Sequence, residues 1–454
     1  MSAFASAMTA LLADRNIGSD AEFRRPPLAW VPVRIALSQP ADAVLGFGNP
    51  GARSGGIEAV IRAAQITGFA PRRGDEMRID GMVRHVEAAK PDALGITWRL
   101  TLSDILTATA PDPAIGAIRY DAWDAPASGL TQAEQAALSH VAYTVRTPFW
   151  ASVAGSAVTL PAATQQRMDA EIAQAAAAGL AFWAFLGWDP ADPANAALNL
   201  YRSSIQRGAV GFCMIENMQG VYYLGTWLPN VARTVALMAE PGYRRVFGSR
   251  PLLFINSMSD ADIIARFGSL GALATVLNGI RDQCALAGVG DPYIVMMDGW
   301  HVRAASLAGY GADAASSYAA LGQITAPTPY VSLAAAAEQW RIDAADMGVA
   351  VVPPLTMGWD YRPRIGGNPA YFGAQATGDP NAYWHAATPD QIARHVADGV
   401  AWLRANEPDA PAQIAIAYAW NEFTEGGWLC PTFLAGQPAG DTSRIAALAA
   451  VLKG

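Results

Sequence analysis

From about residue 113 onward, uninterrupted apolar segments alternate with helix-patterned ones, a rhythm that limits the fold more than any other feature. "AIGAIRYDAW" precedes "TQQRMDAEIAQAAAAG", and "LAFWAFLGW" precedes "ALNLYRSSIQRG". "AVGFCMIEN", "RPLLFINSM", "PYIVMMDGW", "ADAASSY", "VAVVPPLTMGWD" and "QIAIAYAWNE" continue the series to the end of the chain. Strands that are apolar throughout are covered on both faces, as parallel strands joined by helices are. About eight such units fit, the number a (β/α)8 barrel needs. A doubly wound open sheet is the competing arrangement, but no GxGxxG or P-loop follows an early strand. The expectation is an α/β chain whose residues 113–454 form a TIM barrel.

Ahead of the barrel the texture differs. Residues 27–112 contain short runs such as "WVPVRIAL", "EMRIDGMVRHVEA" and "LGITWRLTL", separated by turn clusters such as "GNPGARSGG" and "RRGDE". Alternating runs between turns predict a small antiparallel β-sandwich. "IEAVIRAAQ" fits a strand or a helix. Residues 1–26 are read as an N-terminal extension. Their apolar stretch has no basic segment before it and makes a poor signal peptide, which leaves cytoplasmic and exported locations both open.

Composition removes several function classes. Of the 454 residues only 15% are charged, against about 25% in an ordinary globular chain, which predicts a large core. A formal net charge of −8 offers no surface for nucleic-acid phosphates. No apolar run reaches the length of a membrane span, so no membrane insertion is expected. Cys213, Cys284 and Cys430 form no CxxC pair and lie at no metal-ligand spacing from the five histidines. No metal and no cofactor are expected.

In a barrel, chemistry collects where strands end. Those positions carry Asp121 and Trp123 after the first strand, Trp183 and Trp188 at the second, and Glu216 and Asn217 at the third. Asn256 follows the fourth, Asp298 the fifth, and Tyr318 the sixth. Trp359, Asp360 and Arg362 follow the seventh, and Asn421, Glu422, Glu425 and Trp428 the eighth. Singly, each has a structural explanation, such as a helix cap or a core ring. Together, aromatic faces beside acids and amides suit a glycan, whose C–H faces stack on rings while its hydroxyls seek acceptors. Glu422 and Glu425 are the expected catalytic pair, because cleaving a glycosidic bond commonly takes two carboxylic acids. A helical turn after the strand would place both on one side. The structural alternative is that Glu425 pairs with an arginine such as Arg362.

The segment "YAWNEFTEGGWLCPT" resembles the last-strand motif of glycoside hydrolase family 99 and its relatives in lipopolysaccharide and O-antigen biosynthesis. Trp420, Asn421, Glu422, Phe423, Glu425, Gly426 and Pro431 match the pattern. "MGWDYRPR", "IGAIRYDAW" and the stretch from "YYLGTWLPN" to "RPLLFI" are also similar, so the resemblance spans roughly residues 113 to 454. It implies a (β/α)8 barrel cleaving α-linkages inside a glycan chain with retention, through a 1,2-anhydro sugar. It also implies Glu422 as base and Glu425 as acid, later the base that activates water. Thr424 stands where the mannosidases tend to carry histidine. Glycan transfer of the O-antigen type and non-catalytic glycan binding are the other readings.

Overall fold

The computed structural model describes residues 3–14, 18–25, 30–38, 57–66, 70–73, 75–79, 82–102, 112–189, 191–217, 227–256, 259–298, 311–319 and 321–454. The chain divides into two compact units, Met1–Pro111 with Glu407–Pro411, and Asp112–Asn406 with Ala412–Gly454.

In the first unit six strands follow a helix, α1 (Ala3–Ala13). They are β1 (Gly18–Arg24), β2 (Val31–Ser38), β3 (Ile57–Arg62), β4 (Glu76–Ile79), β5 (Met82–Pro91) and β6 (Thr97–Leu102). Alternation sends Phe23, Val33, Ile35, Ala59, Ile61, Met77, Leu100 and Leu102 to one interior. The sheet runs β1-β2-β3-β6-β5-β4 and closes, because β1 also pairs with β4, from Ala21↔Ile79 to Arg24↔Glu76. The unit is therefore a closed antiparallel barrel and not the expected two-sheet sandwich. Closure uses β1, which falls inside the stretch read as an extension. Ile57–Arg62 is a strand, followed by a single 3-10 turn at Ala63–Gln65.

The second unit is built on eight parallel strands among the described residues. These are β7 (Ala114–Arg119), β8 (Phe182–Leu186), β9 (Gly211–Asn217), β10 (Arg250–Asn256), β11 (Tyr293–Asp298), β12 (Ala314–Ser317), β13 (Pro354–Thr356) and β14 (Ile414–Tyr418). Hydrogen bonding runs β12-β11-β10-β9-β8-β7-β14-β13, and an isolated parallel bridge between Ala315 and Val351 joins the two ends. The result is a TIM barrel in which the last strand lies between the first and the seventh. Every residue of β14 is buried, as its unbroken apolar sequence requires.

Helices begin where the sequence supplies caps. Ser128 caps α2 (Gly129–Leu138) by accepting from the Thr131 N–H. Thr164 caps α3 (Gln165–Ala178) in the same way, and Gly179 ends that helix in the left-handed region. Thr388 and Gln391 form a capping box at Pro389–Ala405. Among the described residues no helix is long and apolar enough to cross a membrane.

Candidate active site

After β14 the chain makes a tight antiparallel turn in place of the helical one expected. Asn421 pairs with Trp428 and Glu422 with Gly427, leaving Phe423–Gly426 to reverse the chain. Gly426 makes the reversal possible with φ +81°, and a Cβ there would lie 2.8 Å from the Asp360 nitrogen. The turn sets Glu422 and Glu425 on one buried cluster, 2% and 6% exposed.

Arg364 is the centre of that cluster. Its Nη1 donates to Glu425 Oε1, while its Nη2 donates to Glu422 Oε2 at 3.1 Å and to Glu134 Oε1 at 2.9 Å. Its Nε donates to Thr424 Oγ1 at 2.8 Å. Thr424 in turn donates to Glu134 Oε2 at 2.6 Å, and the Tyr120 hydroxyl donates to Glu134 Oε1 at 3.1 Å. Glu425 also accepts from Gln375 Nε2 at 2.5 Å and from the Tyr418 hydroxyl. Glu422 accepts from the Tyr318 hydroxyl at 3.3 Å. The arginine that Glu425 engages is thus Arg364 and not Arg362.

One guanidinium among three carboxylates produces large electrostatic consequences. Burial, then the charge of Glu425, pushes the Glu422 carboxyl well above its ordinary value despite Arg364. Burial also raises Glu134, with Arg364 and Thr424 opposing. Burial disfavours the charged form of Arg364, but Glu425, Glu134 and Glu422 hold its proton more tightly than usual. Burial raises the Tyr318 and Tyr418 phenols, so both remain hydroxyl donors.

The other sequence candidates divide into supports, walls and residues outside the cluster. Asn421 accepts from the Tyr120 N–H at 2.8 Å and donates to Asp121 at 3.4 Å; Asp121 is itself held by Arg119 Nε at 2.8 Å. Burial pushes the Asp121 carboxyl up to about 6. Asp360 anchors the turn, its N–H donating to the Glu425 carbonyl at 2.5 Å. Its carboxylate holds Arg362 at 2.8 Å and also Arg146. Burial alone would raise that carboxyl, yet the two arginines keep it below its usual value. Arg362 lies 3.2 Å over the Tyr383 ring.

Trp359 is half-buried, 5.4 Å from the Tyr418 ring, and Tyr318 packs against Tyr418 at the same separation. Trp188 lies 6.1 Å from Tyr120. By contrast Trp123, Trp183 and Trp428 are core residues. Trp123 packs edge-on to Phe423, Trp183 against Trp420, and Trp428 under the Arg444 guanidinium. Their rings are buried against these neighbours, as large apolar rings lose most by facing water. Glu216 accepts from Thr234 at 2.5 Å and faces Arg233 at 3.7 Å, which ties it to the helix following its own strand. Asn256 ends its strand half-buried, with no bond to the cluster among the described residues. The side chains of Asn217 and Asp298 lie outside the described residues.

Sequence reasoning missed Glu134, Gln375, Thr424 and Tyr418 as members of the site. Tyr120 and Arg364 lie within the quoted segments "AIGAIRYDAW" and "MGWDYRPR" but were not named as candidates. Glu134 carries no local signal, being a lone acid within "TQAEQAAL". Among the described residues no group of histidines, cysteines and acids fits a metal ion.

Residues 1–102 match the family described as Phage Head-Tail Attachment protein. No curated protein matches the chain. Among solved structures, a GH99 endo-α-mannosidase from Bacteroides thetaiotaomicron, in complex with BIS-TRIS-propane, is similar at 14% identity and a TM-score of 0.48. That match covers 76% of this chain and 97% of the other. A second structure of that enzyme is similar at 14% identity and a TM-score of 0.46, covering 76% and 98%.

Replacing Arg364 by Met leaves three buried carboxylates without their shared cation. The expected cost is about 3–5 kcal/mol at neutral pH, read by chemical or thermal unfolding. Without the arginine, which opposes the rise of both, the folded-state values of Glu422 and Glu134 move further above their unfolded ones. Stability is then retained at low pH and lost as pH rises above the ordinary glutamate value of 4.5. The deficit of the variant should therefore grow from pH 4.5 towards neutrality.

Proposed function

We propose that the barrel is a glycoside hydrolase acting on a polysaccharide or oligosaccharide, with Glu422 and Glu425 as its proton-transferring pair. The observation that carries this reading is the pair itself: two carboxylates on one turn at the end of the last barrel strand, in unlike surroundings. Both accept from Arg364 and from a tyrosine hydroxyl, but burial and Glu425 push Glu422 towards its protonated form, while Glu425 has a further donor in Gln375. Unlike surroundings for two neighbouring acids are what separates a proton donor from an acceptor. Trp359, Tyr318, Trp188 and Tyr120 supply rings on which a sugar face stacks.

In the reaction, the protonated carboxyl gives its proton to the leaving glycosidic oxygen as the C–O bond breaks. The ionised one takes a proton from the attacking oxygen, whether of water or of the sugar's own 2-hydroxyl. The last-strand motif favours the second route, hence retention, an α-linkage and cleavage within a chain. That motif assigns the base role to Glu422 and the acid role to Glu425. Burial and the neighbouring Glu425 favour the opposite order, with Glu422 as the proton donor. We take this order for the free enzyme.

A panel of bacterial and fungal polysaccharides, assayed for new reducing ends, tests both levels. Wild type should release ends, and Glu422→Gln and Glu425→Gln should each lose 10²-fold or more, on the order expected for acid–base groups. An aryl glycoside of the same sugar, whose leaving group needs no proton, should restore Glu422→Gln but not Glu425→Gln. Rescue of Glu425→Gln alone reverses the order. Binding without cleavage by all three proteins favours a receptor or a glycan-transferring protein.

The match of residues 1–102 to a head–tail attachment family supports a second role for the small barrel, as a mount holding the chain on a phage particle. Antibody to the chain should then label purified particles released by cells that express it. Particles consistently free of the chain would remove this role.

A further inference from the structure

Glu134 is the carboxylate of the ionic cluster that lies outside the turn carrying the proposed catalytic pair. It is fully buried on α2 and receives three donors: Tyr120 and Arg364 on Oε1, Thr424 on Oε2. Two of those donors lead directly to the pair. Arg364 Nη2 is shared between Glu134 and Glu422, and Nη1 is given to Glu425. Thr424, between the two acids in the chain, also accepts from Arg364 Nε at 2.8 Å. Glu422 faces Glu425, Arg364, Glu134 and Tyr318. Glu134 faces Arg364, Thr424, Glu425 and Tyr120, and Tyr418 faces Glu422, Glu425 and Tyr318. Three ionised carboxylates against one guanidinium would leave two uncompensated negative charges in the interior, which low-dielectric surroundings oppose strongly. The cluster therefore keeps at least one proton at neutral pH.

We propose that Glu134 is a positioning residue that sets the proton inventory of the Glu422–Glu425 pair, acting through Arg364 and Thr424 without touching substrate. Its kinetic consequence rests on the hydrolytic reading; the proton inventory does not. Neutralising Glu134 removes a negative neighbour and frees Arg364 to serve the other two acids, so the pair ionises at lower pH.

The test is an infrared titration of the protonated carboxyl band in the full-length protein without substrate, with Glu422→Gln used to assign the band. Glu134→Gln, which keeps the shape and removes the charge, should lower the midpoint by on the order of one pH unit. The pH–rate profile should move to lower pH by the same amount. Thr424→Val, which removes the Thr424 hydrogen bond to the Glu134 carboxylate at nearly constant volume, should shift the midpoint in the same direction but less. If Glu134→Gln does not fold, Thr424→Val decides alone. A folded variant with an unmoved midpoint overturns the proposal, even if activity falls, because a merely structural Glu134 would behave that way. A shifted midpoint in a protein that cleaves no glycan supports the coupling and removes the hydrolytic reading.

Discussion

The candidate site depends on the competition of three buried carboxylates for Arg364. Each bond to that guanidinium also fixes something else. The bond to Thr424 holds the tip of the turn, the bond to Glu425 orients one acid, and the bond shared by Glu422 and Glu134 ties the turn to α2. Coulombic attraction is strong in such surroundings, but so is the cost of leaving any of these charges unmatched. A single guanidinium cannot match three acids. Burial, together with that shortfall, raises the Glu422 and Glu134 carboxyls above their ordinary values.

Barrel closure explains which residues meet there. The last strand hydrogen-bonds to the first and the seventh, so groups following those three strands become neighbours. Tyr120 and Glu134 come from beyond the first strand, Arg364 and Gln375 from beyond the seventh, and Glu422 and Glu425 from beyond the last. Tyr318, after the sixth, reaches Glu422 across the short seventh strand. Glu216, on the third strand, is held instead by its own following helix.

The repeated apolar segments made the barrel legible, because parallel strands covered on both faces leave that imprint whatever their side chains do later. Glu422 and Glu425 stand out in the sequence because charge is rare in this chain and both acids lie among tryptophans. The partners were harder to find. Glu134 lies nearly three hundred residues from Glu422 in the sequence, and its place in the cluster comes from the closure of the sheet, which no local pattern encodes. The sequence does not separate core rings from exposed ones: Trp123, Trp183 and Trp428 are buried, whereas Trp359 and Trp188 are half-buried. The small domain was read as a sandwich because alternation reports which face is buried and not whether the sheet closes. One pairing, between its first and fourth strands, makes the difference.

Glycan cleavage at the Glu422–Glu425 pair is the central claim, and a crystal structure of Glu422→Gln with a bound oligosaccharide from its preferred polysaccharide tests it most directly. The account predicts a glycosidic oxygen within hydrogen-bonding distance of residue 422, with Glu425 close to the attacking oxygen and a sugar ring on Trp359 or Tyr318. A glycan seated elsewhere, with Arg364 and its carboxylates closed beneath it and untouched, would contradict it and leave the cluster a structural device of the barrel.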